Sequence, residues 1–373
     1  MAQRIKCETP KIRVALIGYG YAGRVFHAPL IRSVAGLELT VVGSTRKEAV
    51  AVDLPGVHVC PATEAASRAD VDLVVIATPN DSHYPLAADA LRSGKSVVID
   101  KPFTVSLDEA RSLLELGRQH GQVLTAFHNR RWDSEILASK AIIESGALGE
   151  ISHFECHMDR FRPNVRHRWR EDAGLGAGLW FDLGPHLIDV AVYLFGLPHS
   201  VNANFGTMRE GGETDDWAHI QLNYDRLRVI LHASLLVSGG APRTIIHGSA
   251  ASWAKYGADI QEAQLSQGVL PSAPGFGDDL DPGVLYEGTT GKKIEIPVPK
   301  GDQSLFYSGV RDAIRRLTPL PIPVDDVLAG MAILQASFDS GRQEKTLPIP
   351  LTASERLAWL EARHLQLGGR SLR

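Results

Sequence analysis

The stretch WFDLGPHLID, residues 180–189, sets an aspartate and a histidine four positions apart. If the segment is helical from about Phe181 onward, Asp182 and His186 lie one turn apart on one face, where such side chains touch. A carboxylate that orients an imidazole and supports its charged form equips the histidine to move a proton near neutral pH, as general base or general acid. A plainer reading of the same pair makes Asp182 a helix N-cap and His186 a satisfied core residue. IDKPF (99–103) offers a second group. Lys101 closes a buried strand and precedes a proline that can adopt cis; in a cleft, its ammonium would hydrogen-bond a substrate hydroxyl and stabilise negative charge growing on that oxygen.

The element nearest the N-terminus says what such a cleft would hold. The apolar run IRVALIG (12–18) leads into GYGYAG, where Gly18, Gly20 and Gly23 fill G-x-G-x-x-G with Tyr19, Tyr21 and Ala22 between them. The first glycine allows a tight turn, the second a close approach of backbone to a pyrophosphate, and the third close helix packing, with the helix N-terminus facing the negative charge. Following a strand and opening a helical stretch, the motif reads as a dinucleotide cradle rather than a plain glycine turn. The second strand ends in VVGSTRKEA, with Ser44, Thr45 and Arg46 where an acidic residue would grip the ribose of NAD. Hydroxyls and a guanidinium suit a 2′-phosphate, so NADP is the preferred cofactor and NAD a possible one; otherwise Arg46 is a solvated loop residue. ATPNDSH (77–83) lies at the same carboxyl edge, where Thr78, Pro79 and Asn80 would line the cofactor cleft. His83 then opens the next helix, facing either the cleft or solvent.

These groups need a frame. Five near-continuous apolar runs, IRVALIG, LELTVVGS (37–44), DLVVIATP (72–79), SVVIDKP (96–102) and VLTAFH (123–128), alternate with capped amphipathic stretches such as SLDEARSLLELGRQHG. That alternation predicts an α/β fold, a doubly wound parallel Rossmann sheet over residues 1–128. Beyond about Gly149 the strands alternate apolar with polar: ISHFECHMDRF (151–161), AHIQLNYD (218–225), LRVILHASLL (227–236) and RTIIHGSA (243–250). This pattern fits a large open, mostly antiparallel sheet in a C-terminal α+β domain spanning 129–373, for substrate binding and oligomerisation. SQGVLPSAPGFGDDLDPG (about 266–284) reads as a long loop that covers a site or is mobile, and VDDVLAGMAILQASFDSG (324–341) as a helix packed on a domain or a partner chain.

Composition narrows the function. A chain of 373 residues, 44% hydrophobic and 22% charged, is long enough for two cores. A formal net charge of −4 leaves no global basic field for nucleic acid or an anionic membrane, although RHRWR (166–170) and Arg130–Arg131 are local clusters suited to an anion contact or a solvated face. Cys7, Cys60 and Cys156 lack metal or disulfide spacing, so no metal site is expected. With no leader-like apolar start and no long apolar run, a cytoplasmic protein is the expectation, as a homodimer or homotetramer.

GYGYAG, ATPNDSH, DKP and GLGAGLWFDLGPHLID, in this order and spacing, resemble the Gfo/Idh/MocA oxidoreductases. The resemblance covers nearly the whole chain and implies hydride transfer between a nicotinamide cofactor and a polyol or sugar. It assigns Lys101, Asp182 and His186 as the catalytic group, with His186 as the proton carrier and Asp182 orienting its ring. Asp100 stands where the family usually has glutamate. Asp100 and Lys101, with Asn129 of NRRWD, join the cofactor-binding set. Details such as VFHAP (25–29), DRFRP (159–163) and RWRE (168–171) resemble most the subgroup that includes NADP-dependent scyllo-inositol dehydrogenases, which places Arg162, Arg168 and Trp169 at the substrate pocket or bracing its loop. The substrate is then a cyclic polyol or sugar. The alternatives are an aldose or other carbonyl reductase of this fold, or a non-catalytic dinucleotide-binding regulator.

Overall fold

The computed structural model describes residues 10–166, 168 and 170–366. The first sheet contains β1 (Ile12–Ile17), β2 (Leu37–Gly43), β3 (His58–Cys60), β4 (Leu73–Ile76), β5 (Ser96–Ile99) and β6 (Leu124–Ala126). All are parallel, in the order β3-β2-β1-β4-β5-β6. Their runs are apolar throughout because helices cover both faces: every side chain from Val14 to Ile17 and from Leu73 to Ile76 is fully buried. Between the strands run α1 (Ala28–Ser33), α2 (Lys47–Asp53), α3 (Ala62–Ser67), α4 (His83–Arg92) and α5 (Leu107–His120). A π-helical turn, Gly23–His27, precedes α1. α5 shows how local sequence sets its ends: the Ser106 hydroxyl accepts the Glu109 N–H, and Gly121 stops the helix at φ 62°.

After α6 (Ser134–Glu144) the chain enters the second sheet, β7 (Ile151–Asp159), followed by α7 (Leu179–Phe195), β8 (Ser200–Gly206), β9 (Trp217–Asn223), β10 (Arg228–Ser234), β11 (Thr244–Gly248) and β12 (Ala251–Lys255). Next come α8 (Gln261–Ser266), β13 (Gly283–Glu287), β14 (Lys293–Ile296), α9 (Ser304–Ile314), α10 (Val324–Gln343), β15 (Leu347–Pro348) and α11 (Ala353–Gln366). The strand order is β14-β13-β12-β11-β7-β10-β9-β8-β15, antiparallel except for the β7–β10 pair. α7 packs against β7, β9 and β10, on the side where Phe154, Cys156 and Met158 are buried.

Two ambiguous segments resolve. The loop between α8 and β13 is tied down, because Asp279 and Asp281 both pair with the fully buried ammonium of Lys255. The apolar face of α10 is used within the chain, against α7, β8, α5 and β6. No helix among the described residues is long and apolar enough to cross a membrane.

Candidate active site

The glycine motif forms an open cradle at the carboxyl end of β1. Gly18 has φ 98°, and a Cβ there would lie 2.3 Å from the Ala77 carbonyl oxygen, so only glycine fits the turn beside β4. A Cβ on Gly23 would lie 2.0 Å from the Gly18 carbonyl, whereas one on Gly20 would meet none of the described residues within 4 Å. The outer glycines therefore close the turn and the middle one leaves space, the division of roles that a dinucleotide pyrophosphate needs. Tyr19 is buried and donates to Asp53, 3.2 Å away. Tyr21 is exposed beside partly buried Ala22 and donates to Glu262 from the second half of the chain. At the end of β2, Ser44 accepts the Arg46 N–H. The Thr45 and Arg46 side chains face solvent, and among the described residues the Arg46 guanidinium has no ion-pair partner.

Lys101 lies one residue beyond the end of β5, after Asp100, and the Lys101–Pro102 peptide is cis. Its ammonium donates to the Asp182 backbone carbonyl at 2.6 Å and to Asp182 Oδ1 at 2.9 Å. Arg170 Nε stands 3.4 Å from the same carboxylate oxygen. Burial pushes the Asp182 carboxyl up, but Lys101 and Arg170 together hold it well below the ordinary carboxylate range. Asp182 thus meets Lys101 rather than His186, a correction to the expected Asp182–His186 contact. The spacing places the two on one helix face, yet the carboxylate is taken by the stronger cation arriving from β5. Nor does Asp182 cap its helix: α7 starts at Leu179, and Asp215 from another segment accepts the Trp180 N–H at 2.7 Å. His186 is buried and, among the described residues, its Nδ1 has no hydrogen-bond partner. Burial first, then the field of Lys101, with Arg130, His128 and Arg243, keeps its ring neutral well below the usual histidine range.

The remaining residues divide. Asn80 donates to the Gly176 carbonyl at 2.8 Å, linking the β4 loop to the glycine-rich segment before α7; Thr78 accepts from Ser82, and Pro79 is exposed. His83 neither lines the cleft nor faces solvent. It is fully buried, with its ring nitrogens on the Pro102 and Thr78 carbonyls at 2.8 and 3.0 Å, and so fixes the loops around it. Asp100 accepts the Lys101 backbone N–H at 2.8 Å. Burial raises its carboxyl, but His27 and Lys101 bring it down to about 2. Asn129 is buried and donates to Gln303. Arg162 is partly buried near Arg160, Arg166 and Arg168, with its guanidinium weakened by burial and by these like charges. Arg168 pairs with Glu171 at 2.7 Å; Trp169 lies outside the described residues. Arg130 and Arg131 are neither a solvated face nor an anion site, because buried acidic partners claim both. Nothing in the sequence singles out Arg170: RHRWR shows a cluster but not which arginine turns to Asp182.

The family model described as "Oxidoreductase family, NAD-binding Rossmann fold" matches residues 12–128, and "Oxidoreductase family, C-terminal alpha/beta domain" matches 140–351. The chain belongs to the Gfo/Idh/MocA oxidoreductases. It is 44% identical over 340 residues to the uncharacterized oxidoreductase YdgJ of Escherichia coli K12, a match covering 90% of this chain and 98% of that protein. It is 34% identical over 349 residues to the scyllo-inositol 2-dehydrogenase (NADP(+)) IolW of Bacillus subtilis, covering 92% and 97%. A solved structure of a Klebsiella pneumoniae protein described as an oxidoreductase superposes with TM-score 0.90 at 47% identity, covering 95% of this chain and all of that one. Like other Gfo/Idh/MocA members, this protein is an NAD(P)-dependent dehydrogenase with a small-molecule substrate.

Proposed function

We propose that the protein transfers hydride between NADP(H) and a hydroxyl-bearing carbon of a cyclic polyol or sugar, inositol-like in class, with residues 1–128 holding the dinucleotide and 129–373 the substrate. The observation that carries this reading is the meeting of Lys101 with Asp182, on the helix that also bears a neutral, buried His186. Gly18, Gly20 and Gly23 would hold the pyrophosphate, and Ser44, Thr45 and Arg46 the 2′-phosphate. The bound cofactor supplies the nicotinamide that accepts or gives the hydride. Lys101 spends two N–H groups on Asp182 and keeps a third for a substrate hydroxyl, where its charge steadies the developing alkoxide. Asp182 holds that ammonium in place. His186, neutral at physiological pH, takes the hydroxyl proton in the oxidative direction and returns it in the reductive one, help typically worth about 10²- to 10⁴-fold in rate. The similarity to IolW, named as an NADP(+) enzyme, supports both the polyol and the cofactor.

A panel of inositols, other polyols and aldoses, each assayed with NADP and NAD, tests the assignment. Turnover of a cyclic polyol with NADP preferred is expected, and Arg46→Ala should raise the KM for NADP about 10- to 100-fold, a lost charge-assisted contact, while leaving that for NAD nearly unchanged. Turnover confined to open-chain aldoses or non-sugar carbonyls would replace the substrate class. Equal effects of Arg46→Ala on both cofactors would remove the NADP assignment.

A further inference from the structure

The face of the second sheet opposite α7 carries a cluster that the cleft does not use. Along β7 the outward side chains are His153, Glu155, His157 and Asp159; on the adjacent parallel strand β10, His232 stands directly opposite His157. Single ligand-type atoms of His157, Asp159 and His232 all lie within 4.8 Å of one another. His157 Nδ1 is 3.4 Å from one Asp159 oxygen, and His232 Nε2 is 3.6 Å from the other. Four-coordinate zinc, with bonds of about 2.0–2.2 Å, spaces its ligand atoms about 3.4 Å apart, so these separations need little closing. The Asp159 side chain is only 5% exposed, and among the described residues its Oδ1, like Nδ1 of His157, has no hydrogen-bond partner. Buried polar atoms left unpaired in such a group call for an ion or a water. An outer support is also present: Glu155 Oε2 lies 2.9 Å from His157 Nε2. A proton on Nε2 leaves Nδ1 its lone pair, the carboxylate–histidine arrangement that orients a metal-bound imidazole.

We propose that His157, Asp159 and His232 bind a divalent transition cation of the zinc type, pinning β7 to β10. Two imidazoles and one carboxylate suit such ions better than calcium or magnesium, which prefer all-oxygen shells. The absence of cysteine spacing gives no hint of this site, because its ligands come together through strand pairing. A second trio, His58, Cys60 and Glu64, offers a competing set, but there only the cysteine is buried.

The test is calorimetric titration of tag-free, chelator-treated full-length protein with zinc chloride, repeated for D159N, H232A and C60S. One equivalent per chain is expected. Affinity should fall in D159N and H232A by at least the roughly 10- to 100-fold that loss of even an outer-shell partner costs, and stay unchanged in C60S. Cofactor binding by each variant checks folding. If H232A does not fold, D159N together with the visible d–d absorption of cobalt-loaded wild type, displaced by zinc, decides. A wild type without saturable binding, binding that persists in D159N, or binding lost in C60S overturns the proposal.

Discussion

Lys101 and Asp182 hold each other's charge where the two side chains are only 12% and 17% exposed, so removing the lysine does more than delete a contact to substrate. It strands a carboxylate that burial disfavours and should cost up to about 3 kcal/mol of stability. Lys101→Met is expected to lose about 10²- to 10³-fold in kcat and to unfold at lower denaturant. The double variant Lys101→Met/Asp182→Asn should regain most of the stability and none of the activity. Denaturation midpoints and kcat, measured together, separate the two roles, and recovery of turnover in the double variant would refute the alkoxide role. His186 makes a second residue-scale prediction. Its folded pKa is pushed below the ordinary 6.5, so the unfolded chain binds the extra proton first. The neutral ring's contribution to stability is therefore fully present above pH 6.5 and is lost as the pH falls below it. By the same shift, the acid limb of kcat/KM for oxidation should lie below 6.5 and vanish in His186→Asn. A limb at or above 6.5, or one unchanged in the variant, would return His186 to a packing role.

The turn between β1 and the π-helical segment separates folding from binding within six residues. Gly18→Ala meets the Ala77 carbonyl in a left-handed backbone and should cost about 3 kcal/mol or more. Gly20→Ala meets nothing, so its melting temperature should stay close to wild type while NADPH affinity falls about tenfold or more. Equal dinucleotide affinity in Gly20→Ala and wild type would mean that the backbone does not approach the pyrophosphate there. Elements of this kind were legible in sequence because the glycines and apolar runs carry their own geometry. β3 was not: three residues at a sheet edge, one of them exposed, give too little contrast. β8 and β13 to β15 escaped for a related reason: they are short or expose much of their length, so the pattern of alternation has little buried face to mark it. β12 escaped for the opposite reason, since four of its five residues are buried and it shows no alternation. The π-helical turn left no sequence sign either. At the site, spacing placed Asp182 and His186 on one face of α7, but only the chain's return past β5 decided that Lys101 takes the carboxylate.

At the scale of the whole molecule, a buried charge cluster ties the two halves of the chain together. Arg131, just past the first sheet, donates to Asp189 of α7 at 2.6 and 2.9 Å and to Asp326 of α10 at 2.9 Å. Trp359 of α11 donates to the other Asp326 oxygen at 2.8 Å, and the guanidinium lies 4.7 Å from the centre of the Tyr193 ring. Arg131 is 4% exposed and both aspartates 3%, so these charges have no water to fall back on. The cluster joins the segment leaving the Rossmann sheet to α7, the helix that carries Asp182 and His186. Arg131→Met leaves two buried carboxylates facing each other and should lower stability by about 3–5 kcal/mol. Neutralising the cluster as a whole should recover most of that loss, because a buried network contributes little net stability over a well-packed neutral core. In that triple variant Arg131→Met and Asp189→Leu are combined with Asp326→Asn, not leucine, since Trp359 still needs an acceptor. Urea denaturation at pH 7 reads the difference. If Arg131→Met stays within about 1 kcal/mol of wild type, an ordinary surface-substitution effect, the cluster does not hold α7 to the Rossmann half. If it falls as expected, a polyol KM that rises in the triple variant despite recovered stability would show that the charges set the placement of α7 over the cofactor cleft, beyond keeping the chain folded.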